Sequence, residues 1–194
     1  MHPAQKDLNN LPDTLLVLAG GFGTRLKSVL GEVPKTLAPI NGKPFLQYMI
    51  DYWVSGKISN LVFLLHYQAQ AIIDFIQDYK KQLDSDIHIE YIWEESPLGT
   101  GGSLANAVKQ LNLKKSFLAT NSDTWLTRGL KEIRSSEAPA IVLVKVPDGN
   151  RFGAVKTDGD RVTSFEEKGS NSGPVWISAG LYHLKPEAFH EWDG

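Results

Sequence analysis

The stretch LLVLAGGFGTR at residues 15–25 decides how this chain is read. Its first four residues are too uniformly apolar for the alternation of a half-exposed strand. They predict a short strand covered on both faces, as in a parallel sheet. The chain then leaves that strand through Gly20, Gly21 and Gly23 and places Thr24 and Arg25 directly behind them. A plain turn needs only one or two residues of positive φ. Three glycines plus a guanidinium predict instead that an anion comes close to the backbone. The glycines let N–H groups face it without a Cβ in the way, and Arg25 adds a planar fork suited to phosphate oxygens. The loop is not a P-loop, which needs Lys-Ser/Thr after its last glycine, nor a full dinucleotide fingerprint.

Working outward, residues 1–12 read as a polar tail without the apolar core of a signal peptide. Beyond the loop, Phe45, Leu46, Met49, Ile50 and Trp53 follow helical spacing behind Pro44, a residue suited to a first turn. LVFLL at 61–65 is a second buried strand, and Ile72, Ile73, Ile76 and Tyr79 mark another helix face. IHIEYIW at 87–93 is strand-like, Leu104, Ala105, Val108 and Leu111 give a helix after the PLGTGG turn, and SFLA at 116–119 is a further short strand. Strand and helix alternate throughout, the signature of βαβ units on a parallel sheet. The second half changes character. Residues 140–146, 153–156, 161–165 and 175–182 predict strands separated by turns such as Asp158-Gly159, a mixed sheet or hairpin extension with few helices. No linker divides the halves, so residues 13–194 are expected to form a single domain.

Composition narrows the class. With 194 residues, 42% hydrophobic and 22% charged, the chain has the length and mix of a soluble globular domain. Twenty basic against 22 acidic side chains, a net charge of -2, argue against a general nucleic-acid binder. The absence of cysteine excludes disulfides, thiolate metal sites and a cysteine nucleophile. The five histidines show no ligand spacing. No run is long and apolar enough to span a membrane. A cytoplasmic enzyme or binding protein is the expectation.

Four further elements carry candidate chemistry. Lys35, held behind Pro34 and between the glycine loop and an apolar segment, is a candidate second phosphate ligand, though a lone lysine is ordinarily a solvated charge. Glu94 to Gly102 reads EESPLGTGG at a strand end before a helix, and alone would be a Pro-initiated turn. Asp123 follows SFLA in Asn121-Ser122-Asp123. It is either a turn residue or a carboxylate for Mg²⁺, which takes one or two carboxylates and completes its shell with phosphates and water. Phe165 to Gly169, FEEKG, closes a strand with charges that are normally solvated.

In this order, the GGFGTR loop, Pro34-Lys35, Pro97–Gly101, Ser122-Asp123 and Phe165–Lys168 resemble the sugar-nucleotidyltransferases, the NDP-sugar pyrophosphorylases. The resemblance runs from Leu15 to about Leu184. The string GTRLKSVLGEVPKTLAPINGKPFLQY is most similar to the branch that guanylylates D-glycero-α-D-manno-heptose 1-phosphate. It implies a Rossmann-like three-layer α/β sandwich with a mostly parallel mixed central sheet. It also implies an NTP and a sugar 1-phosphate as partners and Mg²⁺ as cofactor, with no nucleic acid and no membrane. A homo-oligomer is compatible with the sequence.

The implied reaction is in-line attack of the sugar phosphate oxygen on the α-phosphorus, giving NDP-sugar and pyrophosphate. The substrate supplies the nucleophile, and catalysis rests on positioning and charge neutralisation. Carried over by motif, Leu18, Ala19, Gly20, Gly21, Gly23 and Thr24 line the nucleotide. Arg25 clamps the triphosphate, Lys35 meets the phosphates near the α position, and Asp123 coordinates the metal. Pro97, Gly99 and Thr100 sit at the base, while Glu167 and Gly180 meet the sugar and Lys168 its phosphate.

Glu94 resembles the position that reads the base edge. A carboxylate only accepts hydrogen bonds, and guanine offers N1–H and N2–H₂ side by side. GTP is thus favoured, with a sugar 1-phosphate of heptose or mannose type, and a UTP-dependent enzyme of muramate or glucose type is the alternative. Two departures from the family pattern stand out. Ser122 replaces the usual glycine before the aspartate. The sequence reaches Glu191-Trp192-Asp193-Gly194 without the second aspartate of an F-x-D-I-G strand, so a domain lacking its C-terminal end is expected. A non-catalytic nucleotide- or sugar-sensing homologue is the reading from a different class.

Overall fold

The computed structural model describes residues 11–21, 31, 33–169 and 173–192. Gly23, Thr24 and Arg25, and the terminal Asp193 and Gly194, lie outside them.

The LLVL run forms the heart of β1 (Thr14–Leu18), and its Leu15, Leu16 and Val17 are fully buried. A strand can be buried on both faces only if each is covered, and β1 sits inside a six-stranded sheet of order β5-β4-β1-β6-β10-β7. Its neighbours β4 (Asn60–Leu65) and β6 (Phe117–Asn121) run parallel to it, and β5 (His88–Trp93) runs parallel to β4. On the far side β10 (Val175–Leu184) pairs antiparallel with both β6 and β7 (Ala140–Val146). Five strands therefore share one direction and β10 opposes them.

Side chains alternate across this sheet, so odd and even residues of β1 face different helices. Leu15 and Val17 join Met49, Ile50 and Trp53 of α1 (Phe45–Ser55) and Ile72, Ile73 and Ile76 of α2 (Ala69–Lys80). Leu130 and Ile133 of α4 (Leu130–Ser135) close the same face. Leu16 faces the other way, with Val62 and Leu64, against Leu104, Ala107 and Val108 of α3 (Gly99–Gln110). The result is the three-layer sandwich with a mostly parallel mixed sheet.

Several details differ from the sequence reading. Pro44 is the residue before α1 and not its first turn; it belongs to β3 (Lys43–Pro44), which pairs with β2 (Pro39–Ile40). Helix α3 begins at Gly99, inside the PLGTGG motif. Of the second-half strands, β7 and β10 complete the main sheet, whereas β8 (Ala154–Asp158) and β9 (Arg161–Glu166) form a separate antiparallel hairpin. The six-residue α4 escaped detection because Leu130 and Ile133 alone do not make a period. It is anchored by Arg134, which donates to the carbonyls of Pro12 and Gly56 at 2.9 and 2.8 Å. Burial lowers the pKa of this guanidinium, with nearby Asp13 opposing the shift.

Candidate functional site

Because β1 pairs with β4 on one side and β6 on the other, the chain changes direction across the sheet at β1. Ligands of open α/β sheets bind beyond the carboxyl ends of the strands at such a point. A cleft of about 610 Å³ lies there. Four of the parallel strands contribute the residues at their ends: Leu18, Ala19, Gly20 and Gly21 from β1, His66, Tyr67 and Gln68 after β4, Glu94 after β5, and Asn121, Ser122 and Asp123 at the end of β6. Pro97, Gly99, Thr100 and Ser103 add the start of α3, and Lys35 and Thr36 add a 3-10 turn at Lys35–Leu37.

The backbone frame is fixed by bridges between strand ends. Ala19 N–H donates to the Leu64 carbonyl and Ser122 N–H to the Leu18 carbonyl, each at 3.0 Å. Gly20 passes so close to β4 that a Cβ there would meet Cβ of His66 at 3.2 Å. Ser122, at the place where the resemblance implies glycine, is 3% exposed and lines the cleft.

Two side-chain arrangements define its chemistry. Lys35 Nζ donates to Asp123 Oδ2 at 2.7 Å, and both side chains remain 41% exposed. A partly solvated ion pair adds little to stability. It does set a cation and a carboxylate side by side at the cleft wall. A magnesium ion needs only one or two carboxylates when phosphates and water supply the other ligands, and Asp123 fits that requirement. Among the described residues no group of three or more His, Asp or Glu side chains gathers to hold a metal alone.

Glu94 is the second arrangement. It is only 6% exposed, and its Oε2 accepts from Ser103 Oγ at 3.0 Å. Its Oε1 has no hydrogen-bond partner among the described residues. Leaving such an acceptor unpaired inside a protein is costly, so a donor entering the cleft is its natural partner.

The structure thus gathers Leu18, Ala19, Gly20, Gly21, Lys35, Glu94, Pro97, Gly99, Thr100 and Asp123 around one cleft. It does not place Glu167 and Lys168 on that wall. Both are exposed, just beyond β9 in the separate hairpin. Gly180 is buried in β10 with φ of 71°, packed against Asn121, which does line the cleft. Sequence reasoning missed His66, Thr36 and Ser103. The strand-end rule applied to HYQ after LVFLL would have found the first. Ser103 is discernible as the residue one helical turn beyond Gly99.

Comparison with known proteins gives a consistent picture. Residues 14–193 match the family model described as nucleotidyl transferase. The D-glycero-alpha-D-manno-heptose 1-phosphate guanylyltransferase of Campylobacter jejuni is 34% identical over 179 residues, covering 91% of this chain and 78% of that protein. The mannose-1-phosphate guanylyltransferase of Mycobacterium tuberculosis is 33% identical over 173 residues, 86% of this chain and 47% of that longer protein. The crystal structure of HddC from Yersinia pseudotuberculosis complexed with GMP-PN superposes with a TM-score of 0.78 at 35% identity. The match covers 93% of this chain and 80% of that one.

Proposed function

The chain belongs to the nucleotidyl transferase family, and on that premise we propose that it joins GTP to a sugar 1-phosphate of heptose or mannose type. The products are a GDP-sugar and pyrophosphate. The observation that carries this reading is the cleft itself: one wall presents the Lys35–Asp123 pair, and another presents a buried, half-satisfied Glu94 carboxylate. The first suits phosphates and the second suits a base edge that donates.

The reaction needs no protein nucleophile. A phosphate oxygen of the sugar 1-phosphate attacks the α-phosphorus in line, the new P–O bond forms, and the bond to the pyrophosphate group breaks. The protein positions the reactants and neutralises charge, as in other phosphoryl-type transfers. Lys35 offsets the charge that builds on the α-phosphoryl oxygens. Gly20 and Gly21 admit the phosphates close to the backbone at the end of β1, and Arg25 completes the triphosphate clamp. Asp123 would hold Mg²⁺, which supplies charge neutralisation when bound to the phosphates. Glu167 and Lys168 meet the sugar phosphate only if the β8–β9 hairpin approaches the bound substrate.

Heptose- and mannose-directed relatives and a GMP-PN-bound neighbour support guanine as the base. The test is pyrophosphate release with four NTPs against a panel of sugar 1-phosphates in Mg²⁺. Release with GTP and heptose or mannose 1-phosphate is expected. No release with any pair, combined with tight GTP binding, would replace catalysis by sensing.

A further inference from the structure

Glu94 is held by more than the strand it follows. Its N–H donates to the Leu65 carbonyl at 2.8 Å, and its carbonyl accepts from His66 Nδ1 at 2.8 Å. Both contacts tie its main chain to the end of β4. Its side chain is tied to a different layer, because Ser103 Oγ of α3 donates to Oε2 at 3.0 Å. The two residues are 6% and 8% exposed, so water contributes little to either. Ser103 stands four residues beyond Gly99 and therefore on the same face of α3, the face that lines the cleft. Among the described residues, Oε1 is the oxygen of this carboxylate without a donor.

We propose that Ser103 is a positioning residue for base choice. By holding Oε2 it sets the plane of the Glu94 carboxylate, so that Oε1 accepts from the 2-amino edge of a purine. A nucleotide carrying that amine is then taken in preference to one lacking it. The inference rests on the guanine reading above and adds the element that makes it selective. Without the hydroxyl, the terminal torsion of Glu94 is broad and the carboxylate turns freely. Two buried oxygens then lack donors, and the orientation that distinguishes the amine is lost.

GTP and ITP share N1–H and O6 and differ only in the 2-amino group, so their comparison isolates the contact. The experiment is calorimetric titration of GTP, ITP and UTP, with Mg²⁺, into the wild-type chain and its Ser103→Ala and Ser103→Thr variants. Wild type is expected to bind GTP more tightly than ITP. Ser103→Ala should shrink that ratio about tenfold, as expected for one hydrogen bond to a charged group. Ser103→Thr keeps a hydroxyl and should restore it. A merely structural disturbance of α3 would weaken both nucleotides alike and leave the ratio unmoved. Alanine is the stronger helix former, and matching thermal melts establish that the variants fold. An unchanged ratio in Ser103→Ala, or a wild type that prefers GTP to UTP but not to ITP, overturns the role of Ser103. A wild type with no preference for GTP over UTP overturns the guanine reading and this inference with it.

Discussion

Lys35 Nζ lies 2.7 Å from Asp123 Oδ2, although 88 residues separate them in the chain. The contact exists because β1 and β6 are neighbours, so the segment following one strand meets the end of the other. A half-exposed pair of this kind stabilises by at most about 1 kcal/mol. Its consequence is local: a cation and a carboxylate are held side by side at the wall of the cleft.

Asp123→Asn keeps the shape of the side chain and removes its charge. Pyrophosphate release at saturating GTP is expected to fall by roughly 10²–10³-fold, the usual cost of losing a charge-stabilising group in a transfer site. The apparent affinity for Mg²⁺ should weaken in parallel, while the thermal midpoint stays close to wild type. A variant with unaltered Mg²⁺ dependence would remove Asp123 from the metal site.

Glu94→Gln substitutes an amide for the carboxylate and brings a donor to the position proposed to face the base. The preference for GTP over UTP in kcat/KM is expected to drop by about tenfold or more, since an N–H now opposes donors on guanine. Competition assays with both nucleotides read this directly, and an unaltered preference rejects the assignment.

Gly180→Ala tests how closely β10 packs behind the cleft. The residue has φ of 71°, and a Cβ there would meet Asn121 Nδ2 at 2.6 Å. Left-handed backbone costs a residue with a Cβ roughly 1–2 kcal/mol, and the displaced Asn121 adds to it. Chemical denaturation should show a lowered midpoint, with weaker nucleotide binding because Asn121 lines the cleft. A midpoint equal to wild type would mean that β10 relaxes freely where its register with β7 shifts between Ser178 and Tyr182.

Tyr79 on α2 donates to Asp51 on α1, away from the cleft. Burial first, and then the Asp51 carboxylate, push its pKa up to about 12. The folded state thus favours the neutral phenol more than the unfolded chain does. That contribution is fully present below the ordinary value of 10.0 and fades as pH rises through about 12. Tyr79→Phe is expected to lose about 1 kcal/mol at neutral pH. The gap from wild type, measured by urea unfolding, should narrow above pH 10.0. A gap independent of pH would contradict the shift.

The sequence by itself determined the layers of this protein and the places where its chemistry gathers. LLVL and LVFLL could be read as buried strands because four or five apolar residues in a row leave no face for water. The helix carrying Met49, Ile50 and Trp53 was legible because burial repeats with the helical period, a property of the local chain. The glycine loop, Glu94 and Asp123 were expected at strand ends for the same local reason, since each lies at or within a few residues of the end of a strand-like run.

Only the tertiary structure decided which ends meet. The Lys35–Asp123 pair depends on β6 lying beside β1, and the hold of Ser103 on Glu94 depends on α3 covering the end of β5. Neither is encoded within a window of a few residues. The segments at β8 and β9, read as part of a mixed sheet or a hairpin extension, form a hairpin in a sheet of their own, which leaves Glu167 and Lys168 exposed and off the cleft wall. Hydrophobic pattern dictates which residues are inside. The order in which strands pair, settled by packing of the whole domain, dictates which polar groups face each other across the site.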